Sequence, residues 1–293
     1  MDIPKKRPCV KKKQIITLLF ALLLYFPFYM PLAKYMGNLP LSERLGYLPT
    51  QEMLKISSIE HKFLISKLIF FKSMFYFGGR INPISKSVSY QIDYDTLHKF
   101  LNTSVYLDPY NMDTYYFAQA VLTWDAGMIK EVNEMLKIGK KHRYWDHYFP
   151  YFLGFNYSYF LKDYKSASAY FIDAAKITKD PLFANLAARY MYEANQTEAA
   201  IVFLKKMHEE IFNQSIKLNL EKRIKVLEAV LLIENKIVEF RNKFKRNPKK
   251  INEIVEAGLL NKIPDDPYDG KFYIDEKGIV RTTSKFSSAT GKK

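Results

Sequence analysis

Apolar positions recur along this chain at helical spacing, and three segments carry the pattern most plainly. From Ile15 to Ala33 the run IITLLFALLLYFPFYMPLA holds 19 residues without a charge. About 20 apolar residues cross the hydrocarbon of a bilayer, so this run predicts a transmembrane helix. Tyr25, Phe26, Phe28 and Tyr29 would lie toward one interface, and Pro27 and Pro31 would kink or end the helix there. Ile59 to Gly78 is nearly as apolar, but Lys62, Lys67 and Lys72 recur every five residues. Such charges are costly in hydrocarbon, so the segment predicts an apolar core helix closed by Gly78-Gly79; a surface-lying helix is the alternative. Ile216 to Phe244 places Leu220, Ile224, Leu227, Leu231, Val238 and Phe244 on one face of a long amphipathic helix.

Beyond Asn247-Pro248 the pattern changes. Lys250–Ala257 predicts a short helix stopped by Gly258. Lys271–Ile274 and Ile279–Thr282 then alternate as two strands of a hairpin, turning through Asp275–Gly278.

The middle of the chain repeats itself. Tyr94, Leu97, Leu101 and Ser104 return as Tyr164, Ala167, Phe171 and Ala174, each displaced by 70 residues, and Pro109 returns as Pro181, displaced by 72. Half of 70 is one more than the 34-residue tetratricopeptide (TPR) period. Met112–Gly127 and Tyr148–Asp163 precede such second helices, and Leu153-Gly154 with Tyr157 resembles the L-G-x-x-Y of TPR first helices. Pro181–Asn195 and Gln196–Glu210 form a further pair. Small residues at Gly154, Ala167 and Ala174 would let neighbouring helices approach closely. On a 34-residue register the middle unit breaks the pattern, with Glu131 and Ile138 where small residues are expected.

The chain thus resembles a TPR protein over residues 85–210. Its end, from NPKKINEIVEAGLL through IPDDPYDG to the hairpin, resembles the end of type II secretion pseudopilins. The expected fold is all-α: a TPR-like right-handed helical solenoid with an N-terminal transmembrane helix and a small C-terminal β-hairpin. Residues 1–14 would be a basic cytoplasmic segment, 15–33 the transmembrane helix, and 34–84 a connector with the apolar helix. The repeats would fill 85–210, a long capping helix 211–246, a short helix plus hairpin 247–283, and a flexible tail 284–293.

Charge adds an orientation. Residues 1–33 carry six basic groups against Asp2, leaving +10 of the total +15 for the rest. The basic flank KKRPCVKKK stays in the cytoplasm, so the expected placement is single-pass in the inner membrane with the C-terminal domain outside, in a bacterial periplasm. A cleaved signal peptide is the rival reading, although the apolar run is long for one and Pro31-Leu32-Ala33 is a poor cleavage site. The single cysteine, Cys9, excludes an internal disulfide or a zinc ribbon, and it precedes the apolar run where a lipoprotein cysteine would follow it.

Chemistry is sparse. His208-Glu209-Glu210-Ile211-Phe212 lacks the second histidine of a zincin, and no Walker loop, GxGxxG or GxSxG occurs. Asp265, Asp269, Gly270 and Glu276 occupy EF-hand positions, but Pro267 stands where a ligand belongs. Four N-x-S/T triplets, at Asn102, Asn156, Asn195 and Asn213, fit chance in an Asn-rich sequence. No enzyme, cofactor or metal is expected. The resemblance to TPR proteins implies a scaffold whose first helices line a groove for a protein or peptide partner, with Tyr116, Ala120, Trp124, Tyr151, Tyr157, Arg189 and Tyr192 along it. The pseudopilin resemblance suggests envelope or pilus and secretion assembly. A binder of an acidic polymer, polysaccharide or nucleic acid, is the alternative that the basic charge supports; since the lysines are scattered through Glu-bearing helices, nucleic acid is the less expected partner.

Overall fold

A computed structural model describes residues 12–38, 45–79 and 92–284; within 12–38 it describes side chains at Phe20 and from Leu23 to Tyr35. Most of the predicted basic segment, with Cys9, and nearly all of the predicted tail lie outside these residues. The described chain is mostly helical and carries one two-stranded sheet. Contacts divide it into two compact units, Met1–Asp108 and Pro109–Lys293.

The first unit begins with α1, Lys12–Asn38. Among the described residues no helix is long and apolar enough to cross a membrane. This corrects the expected transmembrane segment at 15–33 and, with it, the single-pass placement at the inner membrane. Pro27 and Pro31 within α1 each lack the N–H of a helix hydrogen bond, and Lys34 follows the apolar run.

In the same unit, α2 (Gln51–Ser58) leads through one tight turn, Ile59–His61, into α3 (Lys62–Gly78); α4 (Tyr94–Leu107) packs on both helices. Two serines let α3 and α4 approach. The Ser66 hydroxyl donates to the Ser104 carbonyl at 2.8 Å, and the Ser104 hydroxyl returns a bond to the Ser66 carbonyl at 3.0 Å. Only one side of α3 is core, through Ser66, Ile69, Phe70, Ser73 and Tyr76; Leu64, Leu68, Phe71 and Phe75 are exposed on the other.

The second unit strings together α5 (Met112–Val121), α6 (Ile129–His142), α7 (Tyr148–Tyr159), α8 (Tyr164–Thr178), α9 (Pro181–Glu193), α10 (Thr197–Glu210) and α11 (Gln214–Phe244). From α5 to α11, each helix packs on the next in sequence. The connections are short and locally determined. Between α8 and α9, Lys179 turns the chain in the left-handed region, and Asp180 caps α9 by accepting the Leu182 N–H at 2.8 Å.

One spacing of buried positions recurs. Leu97, Leu101 and Ser104 of α4 correspond to Val132, Leu136 and Gly139 of α6, to Ala167, Phe171 and Ala174 of α8, and to Ala200, Leu204 and Met207 of α10. All twelve are buried. The small residue of the middle unit is therefore Gly139, one place beyond the 34-residue register. A Cβ added there would sit 2.0 Å from the Phe149 ring, and one at Gly154 would sit 3.0 Å from Phe171.

After α11 come α12 (Asn252–Glu256) and the antiparallel strands β1 (Phe272–Ile274) and β2 (Val280–Thr282), with Tyr273 opposite Arg281. A two-stranded hairpin is marginal alone, and this one is docked. Phe272 and Val280 are buried, the Tyr192 hydroxyl donates to the Val280 carbonyl, and Arg281 pairs with Glu193 at 2.8 Å and Asp275 at 3.2 Å. Burial alone would depress the Arg281 guanidinium, but the bonded Glu193 carboxylate outweighs it and holds the cation charged.

Candidate binding site on an aromatic face

α5 puts Tyr115 and Ala118 into the core and leaves Tyr116 and Ala120 exposed, with Trp124 in line just beyond its end. These three lie four residues apart, on one side of a helical path. α7 does the same with a second row. Phe149, Leu153 and Asn156 turn inward, while Tyr148, Phe152, Phe155 and Tyr159 turn toward the α5 row.

The two rows meet ring to ring. Tyr116 lies 5.6 Å from Tyr148 and 5.5 Å from Phe152; Trp124 lies 6.1 Å from Phe155, 5.6 Å from Tyr159 and 4.9 Å from Phe160. Phe155 and Tyr159 stack at 5.3 Å. Tyr116, Trp124, Tyr148 and Tyr159 remain 40%, 53%, 42% and 51% exposed, so the rings form a surface and not a core. Desolvation, with the hydrogen bond to Tyr148, pushes the Tyr116 phenol up to about 12, which keeps it neutral at ordinary pH.

Of the residues expected to line a groove, Tyr116, Ala120 and Trp124 are brought together here. The others are elsewhere. Tyr151 is half-buried between Phe171, at 6.4 Å, and Phe183, at 5.9 Å. Tyr157 stacks on Tyr170 of α8 at 5.4 Å, away from the two rows. Arg189 is half-buried with its guanidinium 5.4 Å from the Tyr190 ring centre, and its Nε is buried without a hydrogen-bond partner. Tyr192 is fully buried beneath the hairpin, and burial pushes its phenol well above the ordinary tyrosine range against the pull of the Arg281 cation. Sequence reasoning missed Tyr148, Phe152, Phe155 and Tyr159. Their helical spacing was available, but α7 is aromatic on every side, so spacing alone could not mark the exposed row.

Several polar groups are tied up inside the fold. Gln119, Asn133 and Asn156 form a buried amide chain: Asn156 Nδ2 donates to Gln119 Oε1 at 2.9 Å and to Asn133 Oδ1 at 2.8 Å. Asn156 is fully buried, so its N-x-S triplet offers no acceptor to solvent. In the acidic turn, Asp266 accepts from the Thr282 hydroxyl and the Tyr268 N–H, while Asp265 pairs with Lys262 at 3.1 Å. Among the described residues, no three His, Cys, Asp or Glu side chains are grouped to hold a metal.

No family model, curated protein or solved structure matches the chain.

Proposed function

We propose that the chain is a TPR-like helical-repeat scaffold that docks an extended protein or peptide segment on the aromatic face of α5 and α7. The observation that carries this reading is the contiguous exposed row of Tyr116, Trp124, Tyr148 and Tyr159. Scattered exposed apolar residues need no explanation, but a continuous aromatic patch with polar tips marks an interaction surface. Two further features support the repeat. Helices α5 to α11 pack on their chain neighbours, and one spacing of buried positions recurs through α6, α8 and α10. In that reading α5 and α7 are first helices, the ones that line the binding face. The partner segment presents apolar side chains to the rings and backbone groups to the Tyr hydroxyls.

A peptide library selected against the full chain tests this. Selected peptides should bind the parent and lose about ten-fold or more in affinity when Tyr116 or Trp124 is replaced by alanine, the usual size of an aromatic hot spot. Each ring also packs on α7, so each replacement should cost about 1–2 kcal/mol of stability, and binding is read on the folded variant. Peptides that bind both variants as they bind the parent would place the docking surface elsewhere.

A further inference from the structure

A second surface lies on other helices and is independent of the peptide reading. Between α6 and α8 there is an open cleft of 530 Å³, whose lining includes Lys137, Lys140, Lys141, Tyr170, Asp173 and Lys176. Small-ligand sites run to about 300–1,000 Å³, so the cleft is larger than one inorganic phosphate needs.

Its charges do not balance. Lys137 pairs with Glu134 at 2.7 Å and Lys140 with Asp173 at 2.6 Å. Lys141 and Lys176, both exposed, form no salt bridge among the described residues. Ammonium groups gathered in one concavity repel one another and raise the local concentration of anions. One wall is aromatic: the Lys140 ammonium lies 5.4 Å from the centre of the Tyr170 ring, which stacks in turn on Tyr157.

We propose that this cleft binds a phosphate-bearing ligand, held by Lys141 and Lys176 as its unpaired cations with Lys140 recruited from Asp173. Phosphate fits better than a carboxylate because several ammonium groups face one concavity, and a phosphate carries more charge and more acceptor oxygens than a carboxylate. Each lysine meets it as a point charge. Asp173 sets the threshold. Its carboxylate repels an entering anion and competes for Lys140, so a ligand must carry enough charge to exchange that partner. A multiply charged phosphate, a monoester dianion or an oligophosphate, does; a singly charged anion such as a carboxylate does not.

The same chemistry comes from a free oligophosphate or from a phosphomonoester lipid headgroup. Two titrations of the full chain separate them: inorganic tripolyphosphate by calorimetry, and vesicles of phosphatidylcholine with or without phosphatidic acid by co-sedimentation. At about 50 mM salt, where screening is modest, one of the two should show saturable binding. The double variant Lys141→Ala/Lys176→Ala should weaken it by about ten-fold or more, Asp173→Asn should tighten it, and Lys222→Ala on the exposed side of α11 should leave it unchanged. Saturation with tripolyphosphate identifies a free ligand; saturation only with phosphatidic acid vesicles identifies a headgroup. The proposal fails if neither saturates, if the double variant binds like the parent, or if Lys222→Ala weakens binding as much as the cleft substitutions do.

Discussion

Glu234, on α11, holds a carboxyl where a charge is disfavoured. Burial raises it above its ordinary value of 4.5, and the bond from the Thr197 hydroxyl, at 3.2 Å, offsets that only in part. Its folded-state value lies above its unfolded one. The stability tied to this group is therefore fully present below the ordinary glutamate value and is lost as pH rises through the raised one. Glu234→Gln keeps the acceptor for Thr197 and removes the charge. Thermal unfolding at about pH 8 should show the variant more stable, with the gap closing toward about pH 4. A variant less stable at the higher pH would mean that Glu234 is paired after all. Tyr192 teaches a different lesson at this scale. From the TPR resemblance it is expected in the groove. It is covered by Val280, 88 residues later in the chain, and no local pattern announces that contact.

At the scale of elements, the helices were largely legible and their registers less so. The start of the long helix, both strands of the hairpin and the short helix before them fall within two residues of the sequence reading. Leu220, Ile224 and Leu227 are buried as their spacing implies, but Val238 and Phe244 are each 44% exposed, because periodicity does not say where the neighbouring element ends. The middle unit was misread for a related reason. A 34-residue period points to Ile138, whereas the chain's own 35-residue spacing puts the small residue at Gly139. That glycine can be tested. Phe149 is fully buried and set edge-on to Tyr115 at 4.9 Å, so it cannot swing aside from a new methyl group. Gly139→Ala should cost about 1–3 kcal/mol by overpacking, although alanine has the better helix propensity. Urea unfolding would check it; an unchanged or raised midpoint would mean that α6 and α7 do not pack as closely as described.

Across the second unit as a whole, the two candidate surfaces fall on alternate helices. The aromatic rows belong to α5 and α7, and the lysine cleft to α6 and α8. That division follows from nearest-neighbour packing. Each helix buries one side between its neighbours and has others left for solvent. One of the two rows was legible: the TPR resemblance pointed to Tyr116, Ala120 and Trp124, and these three are exposed. Tyr151 and Tyr157 were not separable from their exposed neighbours, since α7 offers aromatic residues to the core and to solvent alike. The expected membrane anchor is likewise not borne out: among the described residues no helix is long and apolar enough to cross a membrane.

The account stands or falls on the face between α5 and α7, and Ala120, exposed in the middle of its row, is the place to probe it. A photo-crosslinking amino acid would be placed at Ala120 in the full chain, in the cells that make it, with Val202, 64% exposed on α10, as the control position. The account predicts a discrete crosslinked product from position 120, absent from position 202, lost when Trp124 is also replaced by alanine, and competed by a selected peptide. A product that forms equally from position 202, or that survives the Trp124 replacement, would contradict it.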